Sequence, residues 1–512
     1  MNVKEEKIRS NFGYFGGISI LYGVLFAFCL YRNWFGATFL LYAIVTVAVL
    51  CLFLRQVGEK IKSRTKLYFT AVISCGVSTC LTANQMIQFL NWACIMCLLI
   101  LAMLDQLSDD SRWDILEYLG NGIILFFTAV RYCFLPVKES GTYLSKKEKK
   151  EHKNLRLAVA GIGLAAAALL IILPLLLASD LIFKGMFEAL LSKLHFVNIF
   201  QMISTPVGMI FMALVGFTLI YAFFYASSHV EFRTERERKT TVFHPMTGIA
   251  FSAVIAAIYV FYCGIQIVYL FIGKGAGLPE GITYSQYARS GFWQLLFVAV
   301  INVLLVMICV WLFQKSKILN AVLTVISGCT FIMIASAAYR MLLYVQAYHL
   351  TFLRLVVLSF LTVLALIMGG VIVSIYRKGF SLVHYMVLVS VCCYLIFSFA
   401  RPDYWIATYN VSHMEEISET NLDYMMYGLS LDAAPVIAEI EPDRIQPDQE
   451  DTTGNQQVQK AKLYRYFSMI SENNTGLHFR KANYSRLHAK AIADDYLEQN
   501  KLDAAYYRFN PQ

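Results

Sequence analysis

Apolar runs of about 18 or more residues recur along most of this chain and constrain it more than any other feature. About 20 such residues make a helix that crosses the hydrocarbon of a bilayer, and a helix satisfies its own backbone hydrogen bonds there. Eleven runs qualify, at 12–31, 34–54, 67–84, 87–104, 156–178, 207–227, 246–273, 291–313, 318–338, 352–375 and 381–399. The third and fourth are the weakest. The expected fold is all-α, a polytopic integral membrane helical bundle of about 11 transmembrane helices. Composition agrees, with 58% hydrophobic and 15% charged residues in 512. A soluble enzyme of this size could not cover its surface with so few charges, and disorder and a disulfide scaffold are excluded too. The first run, after MNVKEEKIR, is too long for a cleaved signal peptide and lacks an A-x-A-like site. A retained span is expected.

The charges divide the chain in two. Residues 401–512 carry 11 Lys and Arg against 17 Asp and Glu, whereas residues 1–400 carry 32 against 17. Basic clusters follow the second span (Arg55, Lys60, Lys62, Arg64, Lys66), precede 156–178 (Lys146, Lys147, Lys149, Lys150, Lys153, Arg156) and precede 246–273 (Arg233, Arg236, Arg238, Lys239). Lys315/Lys317 and Arg377/Lys378 add two short ones. The positive-inside rule puts all five in the cytoplasm with the N-terminus. Eleven crossings then leave the C-terminal tail extracytoplasmic. Three regions result: 1–142, N-terminal transmembrane helices plus an interfacial or re-entrant segment; 143–400, the transmembrane core; and 401–512, a small, mostly helical acidic tail.

Parity makes a demand on 113–135, WDILEYLGNGIILFFTAVRYCFL. If 67–84 and 87–104 both cross, this segment lies in the interface or re-enters; otherwise it crosses and one of those two does not. The first arrangement is preferred. Residues 180–205 have the spacing of an interfacial helix. In the tail, 441–460 read as a linker, 458–471 and 485–499 as helices, and Asp432 as a cap for a short helix through Ile440 with Pro435 in its first turn.

Signals for chemistry are few. Cys94 and Cys97 have redox or metal spacing, but they lie in an apolar run with no second pair, where packing is the plainer reading. All 12 cysteines precede residue 394. No metal and no cofactor is expected. Intramembrane charges, the mark of ion-coupled transport, are scarce. Asn91, Gln266, Gln294 and Asn302 are neutral and suit helix-to-helix hydrogen bonds. P-loop, nucleophile-elbow, zincin and kinase motifs are absent, which weighs against those enzymes. One external cluster stands out. The loop GAGLPEGITYSQYARSGFW carries Tyr287 and Arg289, and the next external loop holds Tyr339, Arg340, Tyr344, Tyr348, His349 and Arg354. Arginine pairs bidentately with phosphate or carboxylate, and tyrosine suits the lipid–water boundary. Arg289, Arg340, His349, Arg354, Tyr287 and Tyr344 are thus candidates to bind an anionic head group. The competing reading is an aromatic belt whose arginines pair with Glu280, Asp403 or a helix C-terminus.

The blocks GITYSQYARSGFWQLLFVAVIN, YRMLLYVQAYHLTFLRL and LDYMMYGLSLDAAP, in this order, resemble the family with domain of unknown function 4173, related to domain of unknown function 4153. The resemblance is best over about 150–440. It implies a bacterial cytoplasmic-membrane protein with a helical bundle and supplies no activity or catalytic residues. The expected function is a non-enzymatic envelope scaffold or sensor-type component. Its partners would be membrane lipid and an extracytoplasmic protein contacted through the tail, with no nucleic acid. The alternative is a carrier or transferase acting on an anionic lipid.

Overall fold

The structure, a computed structural model, describes residues 8, 10–33, 35–108, 113, 115–147, 196–230, 243–268, 284–314, 316–377, 379–446, 455–476 and 479–500. Among them are 17 α-helices and one pair of two-residue strands. In order these are α1 (Phe12–Leu30), α2 (Ala37–Val57), α3 (Ser63–Leu81), α4 (Gln85–Leu107), α5 (Ile115–Arg131), α6 (Leu135–Lys147), α7 (Phe196–His229), α8 (Pro245–Gln266), α9 (Tyr284–Leu312), α10 (Lys317–Tyr348), α11 (Phe352–Tyr376), α12 (Leu382–Phe399) and α13 (Pro402–His413). Strand β1 (Ile417–Ser418), α14 (Glu419–Asp423), α15 (Ala434–Ala438), strand β2 (Ile445–Gln446), α16 (Asn455–Asn473) and α17 (Tyr484–Gln499) complete the chain. Nine of the described helices are long and apolar enough to cross a membrane, and they coincide with nine of the eleven expected spans. The chain is a multi-pass, all-α membrane protein. Expected span 156–178, most of the interfacial helix 180–205 and the basic residues 148–156 and 233–239 lie outside the described residues.

The expected span 67–84 and the segment 113–135 stand apart from these nine. α3 forms, but falls below the apolarity of the other nine helices. Its hydroxyls are turned back on its own carbonyls: Thr70 donates to Lys66, Ser74 to Thr70 and Thr79 to Gly76. It also pairs with α4 along its length. Thr65 donates to Asp105 at 2.8 Å near one end, Asn91 to Ser78 at 3.2 Å further along, and Gln88 to the Thr82 carbonyl at the connection. The segment 113–135 becomes α5 and the start of α6. Glu117–Arg131 and Leu135–Gly141 pass the apolarity test together but are bent by 41°, as in a broken span or a re-entrant segment.

The described chain falls into two compact units. The first comprises Met1–Trp34, Leu41–Lys62 and Asn121–Phe232. Here α1 and α7 meet backbone to backbone. A Cβ on Gly23 would lie 2.3 Å from the Ala213 carbonyl oxygen, so only glycine fits. Phe53 and Phe224 stack at 4.5 Å beside this seam.

The second unit comprises Phe35–Leu40, Ser63–Gly120 and Arg233–Gln512. Helices α8 to α11 share one apolar core, from Ala256 to Ile375. Within it Asn302 accepts from Tyr259 at 2.7 Å and donates to Thr330 at 2.9 Å, joining α8, α9 and α10. Tyr394 of α12 donates to Asn91 of α4 at 2.7 Å. Asn91 and Asn302 thus act as interhelical ties, while Gln294 is exposed on α9. Arg64 meets His384 at 2.9 Å, bringing the starts of α3 and α12 together, and Thr324 meets Tyr376 at 2.7 Å, bringing the start of α10 to the end of α11. At the opposite ends of these helices stands the tail.

The tail has a core of its own, running from Ile406 to Ala493 and including Val345 and Leu350. Helix 434–438 forms with Pro435 in its first turn, but Asp432 does not cap it: Ser430 caps the 3-10 turn 431–433 that leads into the helix, which has no side-chain cap of its own. Part of the expected linker is ordered: Ile445 and Gln446 pair in parallel with Ile417 and Ser418.

Candidate functional site

The six candidate head-group residues divide. Tyr287 and Arg289 lie on the first turns of α9, and their side chains fall outside the described residues. Residues 339–348, expected in a loop, instead continue α10 for nearly three more turns, and the connection to α11 is only 349–351. These turns are partly packed on protein: Met341 and Val345 are buried, whereas Leu342 and Tyr348 are exposed. Arg340 donates to Gln266 at 3.5 Å, and Ser336 donates to the same oxygen at 2.8 Å.

Tyr344, His349 and Arg354 do come together. Arg354 lies 4.2 Å over the Tyr344 ring and donates to the carbonyls of Tyr348 and His349. Those carbonyls end α10, where the helix dipole is negative and a cation is favoured. His349 adopts a left-handed φ of 63° to close the helix. Burial and then the Arg354 charge push the His349 imidazole below its ordinary range, so it stays neutral. Arg354 therefore serves a helix C-terminus, the competing role the sequence left open.

A second polar cluster is better built. Arg401 takes a left-handed φ of 53° between α12 and α13. From there its Nε donates to Asp432 at 3.2 Å, between the rings of Tyr404 and Tyr484. Asp432 is fully buried and also accepts from Thr82 and Ser430. One residue pair away, Asp403 accepts from Asn84 at 2.7 Å and from the Ser430 amide at 2.9 Å. Its other oxygen is buried without a partner among the described residues. Burial pushes the Asp403 carboxyl above the usual aspartate range; the Ser430 and Asn84 hydrogen bonds oppose the rise, and the Asp432 charge adds to it.

These contacts grip three connections of the membrane helices. The 82–84 connection is held by Asp403 and Asp432, and Asn483 donates to the Thr82 carbonyl at 3.2 Å. The 349–351 connection is held by Asn410, which accepts from the Leu350 amide at 2.8 Å and donates to its carbonyl at 2.9 Å. The start of α2 is held by Ala37 and Thr38, which donate to the carbonyls of Ala482 and Arg480 at 3.0 and 3.2 Å. Asn410 opens a glycosylation sequon, yet it is 2% exposed and fully engaged. Further out, Lys462 reaches Glu419 at 2.8 Å and Asp423 at 2.7 Å. Burial alone would depress that ammonium, but the two carboxylates hold it above its ordinary value.

Sequence reasoning named Asp403 as an arginine partner and Asp432 as a cap, but not their joint role. The available signal was Arg401-Pro402-Asp403, a proline and an acid in the first turn of a helix directly after a membrane span. No group of three or more His, Cys, Asp or Glu among the described residues is placed to hold a metal ion.

The family model described as domain of unknown function (DUF4153) matches residues 69–440. It is the relative of the family that the three sequence blocks resemble. The match takes in the membrane helices of the second unit from Phe69 in α3 onward, and the tail as far as α15. No curated protein and no solved structure matches this chain.

Proposed function

Because this chain belongs to the DUF4153 family, whose description assigns no activity, its role is read from its own residues, and we propose a membrane-embedded scaffold or sensor component of the bacterial envelope. In this reading the tail is the working domain and faces the extracytoplasmic side, where it contacts a protein partner. The observation that carries it is the grip of the tail on three helix connections. Rigid mounting on the membrane helices suits a domain that must present one surface at a fixed height and orientation.

The orientation rests on charge. Arg64, Lys66, Lys317 and Arg377 sit at the ends of α3, α10 and α11 remote from the tail. The positive-inside rule makes that end cytoplasmic. Finer placement with domain of unknown function 4173 is supported by the three blocks at 281–302, 339–355 and 422–435. The alternative, a head-group site on Arg289, Arg340, His349 and Arg354 with Tyr287 and Tyr344, is less favoured because Arg354 is engaged by helix carbonyls.

Photo-crosslinking in living cells tests the proposal. A photoreactive residue at Phe479 or Leu487, both exposed on the tail, is compared with one at Trp311, exposed on α9. The scaffold reading predicts a discrete protein adduct from the tail positions and lipid adducts from Trp311. Lipid adducts alone from all three positions, with loss of lipid capture in Arg289→Gln and Arg340→Gln, would overturn it in favour of the lipid site.

A further inference from the structure

We propose that the tail contains a binding pocket for a small anion with an apolar body, a carboxylate or phosphate monoester joined to an aromatic or short aliphatic group, with Arg486 as its counter-charge. The pocket is a cavity of about 270 Å³ between α16, α17 and the turn after α14. Tyr427, Leu431, Tyr466, Ile470 and Asn473 line it with Arg486. Its walls are mostly aromatic and aliphatic, and the guanidinium is the one charged group among them. That combination is how proteins select amphiphilic anions: apolar walls take the body and one fixed polar group orients the head.

Arg486 is the unusual member. One side of its guanidinium rests on the Phe35 ring at 4.3 Å. Its Nε is sealed from solvent without an acceptor, and no carboxylate pairs with it among the described residues. Arg401, its neighbour in the same domain, shows the contrast, since that cation is matched by Asp432 at 3.2 Å. A guanidinium offers five donors in a planar fork that fits carboxylate or phosphate bidentately. Leaving such a group desolvated and unmatched costs stability, and an anion from outside would remove the cost. Partial burial also pulls this side chain below its ordinary value. Tyr466 is 4% exposed and Tyr427, itself exposed, meets its ring edge-on at 6.1 Å, so the two rings form an aromatic corner of the pocket wall. The inference stands on the geometry around Arg486 and holds on whichever side of the membrane the tail lies.

The test uses the full-length protein in phosphatidylcholine nanodiscs, titrated with 4-phenylbutyrate and with 4-phenylbutanol, which has the same body and no charge. Saturable binding of the carboxylate, at least roughly tenfold tighter than the alcohol, is expected, with a loss of about tenfold or more in Arg486→Gln. Asn473→Trp, at an exposed rim position, plugs the mouth and should abolish binding without touching the guanidinium. Discs containing phosphatidylglycerol separate the sources. Competition by that lipid assigns the site to a membrane anion, and its absence assigns it to a soluble one. Equal binding of acid and alcohol overturns the proposal. So does full binding retained by Arg486→Gln or by Asn473→Trp, when the variant melts like the parent protein.

Discussion

Arg401 and Asp432 form the buried pair on which the tail mount turns. Asp432 is fully buried and Arg401 keeps some contact with solvent. Arg401→Ala would strand a buried carboxylate, and the expected loss is about 3 kcal/mol, the low end for a broken buried pair. A lowered thermal midpoint of the purified protein in detergent, partly restored by adding Asp432→Asn, is the expected result. Asp403 predicts a pH dependence. Its folded pKa is raised above the unfolded value, so the native state holds the proton more tightly. Its contribution therefore favours folding at acid pH and is lost as pH rises from the ordinary aspartate value through the raised one. Asp403→Asn keeps an oxygen for Asn84 and Ser430 and removes the titrating group. Its midpoint should change less than the parent's between about pH 4 and about pH 7. At this scale little was legible in advance. Asn84 and Asp403 are 319 residues apart and Thr82 and Asp432 are 350, and no local pattern marks such partners.

Among elements, hydropathy carried the nine spans because a lipid-facing helix must be apolar along its whole length, a requirement visible in any window of the sequence. It fell short where another element substitutes for lipid. α3 hides its hydroxyls in its own backbone and against α4, so its mean hydropathy understates its fit to the bundle. α10 runs to Tyr348 with its last turns partly packed on protein, so the tyrosines and Arg340 that read as a loop are helical. Small residues mark close helix approaches, but the sequence does not say which helices they join. Gly370 approaches Tyr385 on α12, the next helix in the chain, whereas the Gly23–Gly216 seam joins helices far apart in the chain. Gly23→Val places atoms against the Ala213 carbonyl and the Phe217 amide, and backbone cannot yield as a side chain would. A destabilisation of about 2 kcal/mol or more is expected, read as a lower midpoint and a smaller monodisperse fraction. Gly17→Ala, with nothing within 4 Å of its added carbon, should be neutral.

For the whole molecule, the sequence divided a basic apolar body from an acidic tail, and the structure shows how they are joined: through buried polar side chains rather than a flexible tether. The basic residues at the helix ends remote from the tail are the ground for the proposed external position of the tail, and the scaffold reading depends on that side. The tail has no native cysteine, since all 12 lie at or before Cys393. A single Glu472→Cys, at an exposed position on α16, therefore gives a label site with the parent protein as its blank. A membrane-impermeant maleimide applied to intact spheroplasts should modify Glu472→Cys above the parent background. Modification only after the membrane is broken would place the tail in the cytoplasm and contradict an external scaffold.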